Sequence, residues 1–563
     1  EVESGTKKFS TFDTDKPSSG KRSSMSNFSN IDTNYSVKGD FWNSIETKSC
    51  TEEGATSLRK DQGFAQKVYE SLKTCISNDK ITDKKMASVI IKILFNVLTK
   101  GKFDNQNIDI TKNQNILTQA IQVFRIAQQD EGAEILLNDI IKVIGLFIKF
   151  YCFCANGVDL SICTGFLRYV PNVLMTSGRT PNLYINMLKA LGLMITAANM
   201  VPKRSLLFYK SIIDFKIIDV LFKVIMNYKN QQFVITKSCI ECLSILIYPT
   251  NGEIHSFPFL RNETMENKFQ DYNDVKTAFN HIEILKTHFF KVCLDEKIFE
   301  LFPVLYETES DLTLKMSIIK ILIQLMRHNP KDMFSYFCVN NGPYVKLINS
   351  ASTSEDINQK ILIQLGILLL MEVVKYGNKV NVNITDCGFD TQKILNYLNR
   401  LFQMDNITLC LTFGLLAELM NNSKYWGFNA KYIKKIKDII RNSPGRGRDD
   451  NKKLEGTSFG YLSVAILDYP LLYLEKVMKM INTKEKIKTE IISSVMECQF
   501  EDILVDIISN SSFRNEISPK GVNSALLITN DLINADYKMI TRKILREHCM
   551  KHLIIFIKRK QYL

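Results

Sequence analysis

Glycine and proline are both scarce in this chain, 24 and 12 among 563 residues, and tryptophan occurs only twice. Tight turns depend on the first two, so an all-β protein with many tight turns is disfavoured and long helices are favoured. The signatures of nucleotide chemistry are missing as well. No GxxxxGK[ST] loop, GxGxxG turn, His-Arg-Asp loop or Asp-Phe-Gly motif occurs, so nothing cradles a nucleotide or sets a catalytic aspartate beside a metal. No GxSxG elbow is present, and the six histidines, at 255, 281, 288, 328, 548 and 552, are too dispersed to suggest a triad. We expect neither catalysis nor a cofactor within these residues.

Long apolar runs are missing too. Ile361 to Val374 and Ile140 to Phe150 are interrupted by Gln, Glu or Lys before they could span a bilayer, so no membrane span is expected. The chain starts at Glu1 without a charged-then-apolar leader, which reads as a cytoplasmic protein and as a piece of something longer. Thirteen cysteines form no disulfide-like framework, as in a reducing compartment. Cys239-Ile-Glu-Cys242 is a lone CxxC without the second pair a four-ligand zinc site needs, and Ile240, Leu243 and Leu246 mark it as part of a packed face. His548 and His552 share a helix face but lack the Glu of an HExxH site, so they read as solvent-facing.

What is present is an ordinary globular composition, 45% hydrophobic and 23% charged, in a chain too long for one core. Met86, Val89, Ile90, Ile93, Leu94, Val97 and Leu98 fall at i, i+3, i+4, i+7, i+8, i+11 and i+12, the stripe of a core-facing helix. Similar helices recur over Asn186 to Asn199, Val234 to Tyr248, Leu314 to Arg327, Lys360 to Lys375 and Leu409 to Asn421. The polar breaks near residues 100, 199, 249, 329, 376 and 421 imply a unit of roughly 40 to 50 residues, the length of armadillo and HEAT repeats. The expected fold is an all-α, armadillo/HEAT-like α-solenoid behind a polar linker. Its parts are a Ser/Thr-rich linker over 1–57, repeat blocks over 58–250, 277–442 and 457–563, and inserted loops over 251–276 and 443–456. A further loop is expected from Tyr376 to Asp390.

The net charge of +13 is uneven. Residues 1–60 carry nine basic and nine acidic side chains, whereas 534–563 carry eight basic against Asp536 and Glu547. On a helix over Met539 to Lys560, the residues Lys543, Arg546, Lys551, Lys558, Arg559 and Lys560 are candidate contacts for an acidic partner surface, set against a plain solvated face. Arginine is sparse and lysine dominates, so no specific nucleic-acid reading follows. In the linker, Ser23, Ser24 and Ser26 after Lys21-Arg22 are candidate phosphorylation sites, and Phe41 and Trp42 with Ile45 form a candidate docking patch.

Three segments carry a family resemblance. They are Phe41-Trp42-Asn43-Ser44-Ile45-Glu46-Thr47 with Leu58 and Asp61 to Val68; Ser458 to Leu462 leading into Leu467 to Leu472; and Glu516-Ile517-Ser518-Pro519-Lys520-Gly521-Val522. In this order they resemble the region after the kinase domain in Fused-type serine/threonine kinases. The resemblance implies a noncatalytic regulatory region with its kinase domain upstream of Glu1. It also implies kinesin-like or microtubule-associated partners and work in the central apparatus of motile cilia. No catalytic residue of that family has a counterpart here. Two other readings remain open: an armadillo or HEAT adaptor without a kinase, and a basic solenoid on nucleic acid or membrane.

Overall fold

The computed structural model describes the chain except residues 1–34, 62, 101–113, 153–159, 201–205, 230–231, 248–282, 296–297, 340–341, 354–358, 401–402, 422–428, 443–465, 482–484, 510–516 and 535–563. Among the described residues the structure is helical throughout, apart from one small antiparallel hairpin of β1 (Ile76–Ser77) and β2 (Lys80–Ile81). Ten helices form a ladder in which each packs on the next. They are α1 (Tyr35–Ser49), α2 (Lys84–Thr99), α3 (Glu134–Cys152), α4 (Pro181–Met200), α5 (Phe233–Ile247), α6 (Leu312–His328), α7 (Lys360–Lys379), α8 (Asn406–Leu419), α9 (Asp468–Ile481) and α10 (Pro519–Asn534). Shorter helices lie between successive rungs and pack behind them, as Ile217–Tyr228 does against α5 and Pro343–Ser352 against α7. Most rungs begin about 50 residues after the last, and this repeated unit, whose neighbours bury one another's apolar faces, is an armadillo/HEAT-like α-solenoid.

Local chemistry starts the rungs where they start. Asp83 accepts from Met86 N at 2.9 Å, Asp311 from Leu314 N at 2.9 Å, and Asp405 from Thr408 N at 3.0 Å, each satisfying a donor that the first helical turn leaves free. At the other end of α2, the buried Arg59 guanidinium donates to Val97 O at 2.9 Å and Lys100 O at 2.6 Å, closing carbonyls the helix cannot pair itself.

Two expectations need correcting. The polar linker does not extend to residue 57, because α1 and a helix over Glu52–Lys60 already belong to the array. Trp42, Ala55 and Leu58 give these polar segments one buried side each, and Thr51 caps the second at Gly54 N, 3.1 Å away. So few apolar residues leave almost no periodic signal, yet they suffice when a neighbouring helix supplies the rest of the core. The loop expected from Tyr376 is largely structured as well. Helix α7 runs on to Lys379, and a 3-10 turn over Ile384–Cys387 tucks Ile384, Cys387 and Phe389 inward. The expected loops at 251–276 and 443–456 lie outside the described residues.

Two rungs are apolar nearly all round. Among the described residues α7 alone is long and apolar enough to cross a membrane, but 72% of its apolar window is buried inside the protein, against α6, α8 and Pro343–Ser352. Helix α8 is buried from Thr408 to Ala417, wedged between α7 and α9. At its centre a Cβ on Gly414 would meet Tyr469 Cδ1 at 2.7 Å and Met371 Sδ at 2.8 Å, so glycine is what lets the three rungs approach.

Candidate functional site

Five successive rungs, α3 to α7, carry side chains that reach solvent. On α3 these are Ile135, Asn138 and Lys142; on α4, Asn182, Asn186 and Lys189; on α5, Val234, Ser238 and Glu241; on α6, Thr313 and Met316; on α7, Ile361, Glu372 and Lys375. On α3 to α6 these positions recur at three- or four-residue steps because the complementary positions are spent on the core, whereas on α7 the buried Gln364, Leu365 and Leu368 separate Ile361 from Glu372. Ile135, Val234 and Ile361, the second residues of α3, α5 and α7, are large apolar side chains left 77%, 52% and 40% exposed. They give the stripe apolar footholds between its amides and charges.

Polar pairs tie rung to rung, some at the surface and others, such as Gln364 with Asp405 and Ser524 with Glu475, in the interior. Lys92 on α2 reaches Glu46 on α1 at 2.5 Å, and Asn186 on α4 donates to Asn138 on α3 at 2.7 Å. Lys237 on α5 meets Asp311 at the start of α6 at 2.7 Å, while Thr313 donates to Glu241 at 2.9 Å. Arg327 on α6 binds Glu372 on α7 at 2.7 Å, Gln364 on α7 donates to Asp405 at 2.9 Å, and Ser524 on α10 donates to Glu475 on α9 at 2.6 Å. Exposed pairs such as Lys92 with Glu46 contribute about 0–1 kcal/mol, so apolar burial holds the rungs together and the pairs set their register.

The electrostatics follow from burial. Desolvation pushes the Asp311 carboxyl up, but hydrogen bonds from Lys237, Thr313 and Leu314 N outweigh it and hold the group at about 2. Burial pulls the Lys320 ammonium below its ordinary range. Asp468, at the start of α9, accepts from Ser518 N at 2.9 Å and from the Ser518 hydroxyl, yet desolvation still leaves its carboxyl above the usual range. A Cβ on Gly521 would stand 2.1 Å from that carboxylate, so the α9–α10 joint is closed by a serine, an aspartate and a glycine in direct contact.

The residues singled out by sequence fall as follows. Trp42 is buried in α1 at 4% exposure, and Phe41 is half-buried with its ring 5.2 Å from the indole. Ser23, Ser24, Ser26, Lys543, Arg546, Lys551, Lys558, Arg559 and Lys560 lie outside the described residues. Cys239 and Cys242 are buried inside α5; desolvation pushes the Cys242 thiol up to about 12, and its sulfur donates to Leu188 O at 3.2 Å. Such a thiol is a core hydrophobe, not a thiolate ligand. Sequence reasoning did not find Ile135, Val234 or Ile361. Their only signal is an apolar residue one step off the core stripe, which single-helix periodicity treats as noise.

No family model and no curated protein matches the chain. Among solved structures it is similar to UNC-45 from Drosophila melanogaster, at 13% identity and a TM-score of 0.33, over 92% of this chain and 72% of that one. It is also similar to Kap121p, at 10% identity and a TM-score of 0.28, over 92% of this chain and 52% of that one, about half its length. Likenesses this loose carry no activity or partner to this chain, and the architecture rests on the ladder itself.

Proposed function

We propose that this chain is a protein-interaction scaffold that holds its partners along the solvent-facing side of the ladder. The observation that supports this is the set of solvent-reaching residues from α3 to α7, where exposed Ile135, Val234 and Ile361 stand among amides and lysines on successive packed rungs. A repeating face of this kind suits an extended partner segment, which meets a similar set of contacts at every rung. A stripe-directed test is the double variant Lys189→Glu with Lys375→Glu, both exposed. Cross-linked partners recovered from the source cell should be lost while thermal melting stays the same. Retention of the same partner set by the folded variant would overturn the ladder-face reading.

A finer proposal concerns context. The chain is the regulatory region of a Fused-like serine/threonine kinase, working in the motile-cilium central apparatus or another microtubule-associated complex with kinesin-like or axonemal partners. Its support is the content and order of the three sequence segments that resemble that family. The complete reading frame tests it directly. A kinase domain before Glu1 is expected, and a frame without one would leave an adaptor.

A further inference from the structure

Thr313, Lys320 and Arg327 on α6 are spaced by seven residues, about two turns of helix, so the three share one line along it. At one end Thr313 donates to Glu241 on α5 at 2.9 Å, and at the other Arg327 binds Glu372 on α7 at 2.7 Å. The carboxylates at both ends are therefore engaged. Lys320, midway, is half-buried and makes no hydrogen bond, ion pair or ring contact among the described residues. Gln324, one turn further along, is buried and is also unpartnered among the described residues. Neither the ammonium nor that amide is sealed from solvent, in contrast to Arg59 Nε. Other half-buried lysines of the ladder carry their own counter-ion: Lys237 meets Asp311 at 2.7 Å and Lys142 meets Asp139 at 3.0 Å. Lys320 has none, and burial alone acts on its ammonium, pulling it below the ordinary range. A cation drawn partly out of water is unfavourable without an anion, which is why such groups are ordinarily paired.

We propose that Lys320, with Gln324, anchors a carboxylate side chain of the partner segment held on the ladder face. The inference rests on the scaffold reading above and gives the partner a chemistry: an extended segment that places an aspartate or glutamate over the middle of α6. The ammonium and the amide lie four residues apart on one helix face, so the two oxygens of a single carboxylate can take one donor each. A neutral side chain would leave the ammonium uncompensated. A phosphoryl group would bring more oxygens and more charge than one ammonium and one amide satisfy. The flanking Thr313 and Arg327 are already paired across the rungs, which confines the acceptor to the central stretch.

Zero-length carbodiimide coupling joins a carboxylate to an amine it touches, so it reads this contact directly. Applied to the full chain with an extract of the source cell, it should yield an amide between Lys320 Nζ and an aspartate or glutamate of a partner, located by mass spectrometry. The partner sequence around that acid is then made as a peptide and as its Asn or Gln counterpart, and both are titrated by fluorescence anisotropy. The acidic peptide should bind about tenfold more tightly, Lys320→Met should abolish the difference, and the amide counterpart should bind both proteins alike. Methionine keeps an apolar stem and removes the unpaired charge, so hydrogen exchange over 312–328 in the free variant should be no faster than before. Lys320→Gln gives the same reading should methionine disturb the packing. Couplings at Lys189 or Lys375 without one at Lys320, or a preference for the acidic peptide that survives both variants, would overturn the anchor and leave the scaffold reading standing. Absence of any coupling on the ladder face would remove both.

Discussion

Two glycines in the ladder should respond to alanine in opposite directions, and the sign follows from what a Cβ would meet. On Gly366 in α7, it would stand 2.7 Å from Ser352 N, 2.8 Å from Ala351 C and 3.0 Å from Ala351 Cβ. These atoms belong to the end of the helix Pro343–Ser352, so no side chain can swing away and the whole helix must retreat by roughly 0.7 Å to restore ordinary contact. On Gly192 in α4, a Cβ would meet only Cys242 Sγ, at a comfortable 3.6 Å. Alanine is favoured over glycine in a helix interior by about 0.8–1.0 kcal/mol, and at Gly192 that gain stands alone. At Gly366 it is set against overpacking that costs about 1–3 kcal/mol, and because the contacts under 3.0 Å are with backbone the upper part of that range applies, leaving a net loss of about 1–2 kcal/mol. A repeat array opens locally, so a single melting temperature is the wrong measure. Hydrogen exchange read on separate peptides is the right one. Gly192→Ala should slow exchange over 181–200 about fivefold, and Gly366→Ala should speed it over 343–379 by about 5–30-fold. Slower exchange in Gly366→Ala, or faster exchange in Gly192→Ala, would show that helix-to-helix approach does not govern these rungs.

Other outcomes follow from the same structure. Trp42→Ala empties a buried site on the first rung, where truncation of a large aromatic costs about 3–5 kcal/mol. Exchange over 35–60 should become rapid while 134–152 is unchanged, and loss of protection across the whole array would contradict nearest-neighbour stacking. Asp311 and Asp468 should respond to acid in opposite senses. The folded carboxyl of Asp311 is depressed to about 2, so its contribution is complete above the unfolded value of about 3.9 and is lost as pH falls towards 2. The Asp468 carboxyl is raised by burial, so proton binding favours the folded joint and the α9–α10 contact gains as pH falls through that raised value. Exchange corrected for its intrinsic pH dependence should show the two joints diverging, and Asp311→Asn should remove the acid loss at α5–α6. Parallel behaviour of both joints would refute the assignment.

The rungs were legible in the sequence, and the reason is physical. Each rung is packed by rungs before and after it and by a shorter helix behind, so it must be apolar over a wide arc and for several turns. The stripes over Met86 to Leu98, Leu314 to Arg327 and Lys360 to Lys375 are that requirement written out, and they lie within α2, α6 and α7. Some helices behind the rungs are very short, as with the six residues of Val170–Met175, and these leave too few turns for a period to emerge. Helix α1 was hidden for a different reason, since Trp42 alone supplies most of what it buries.

The ladder side was not legible from single helices, because no local rule selects the residues that face solvent. Its order lies at a longer distance. Asn138 and Asn186 are 48 residues apart, Arg327 and Glu372 are 45 apart, and Glu475 and Ser524 are 49 apart. Each pair joins matching heights on consecutive rungs, so the separation of partners equals the repeat length. A slip of one residue in a rung would turn its stripe by about 100°, breaking its pair and carrying its apolar arc away from the core together. The exposed pairs among them therefore add little to stability, and their regular offset marks the repeat along the chain. Complementary polar residues offset by one repeat, searched together with the apolar stripe, are the signal through which this side could be read from sequence.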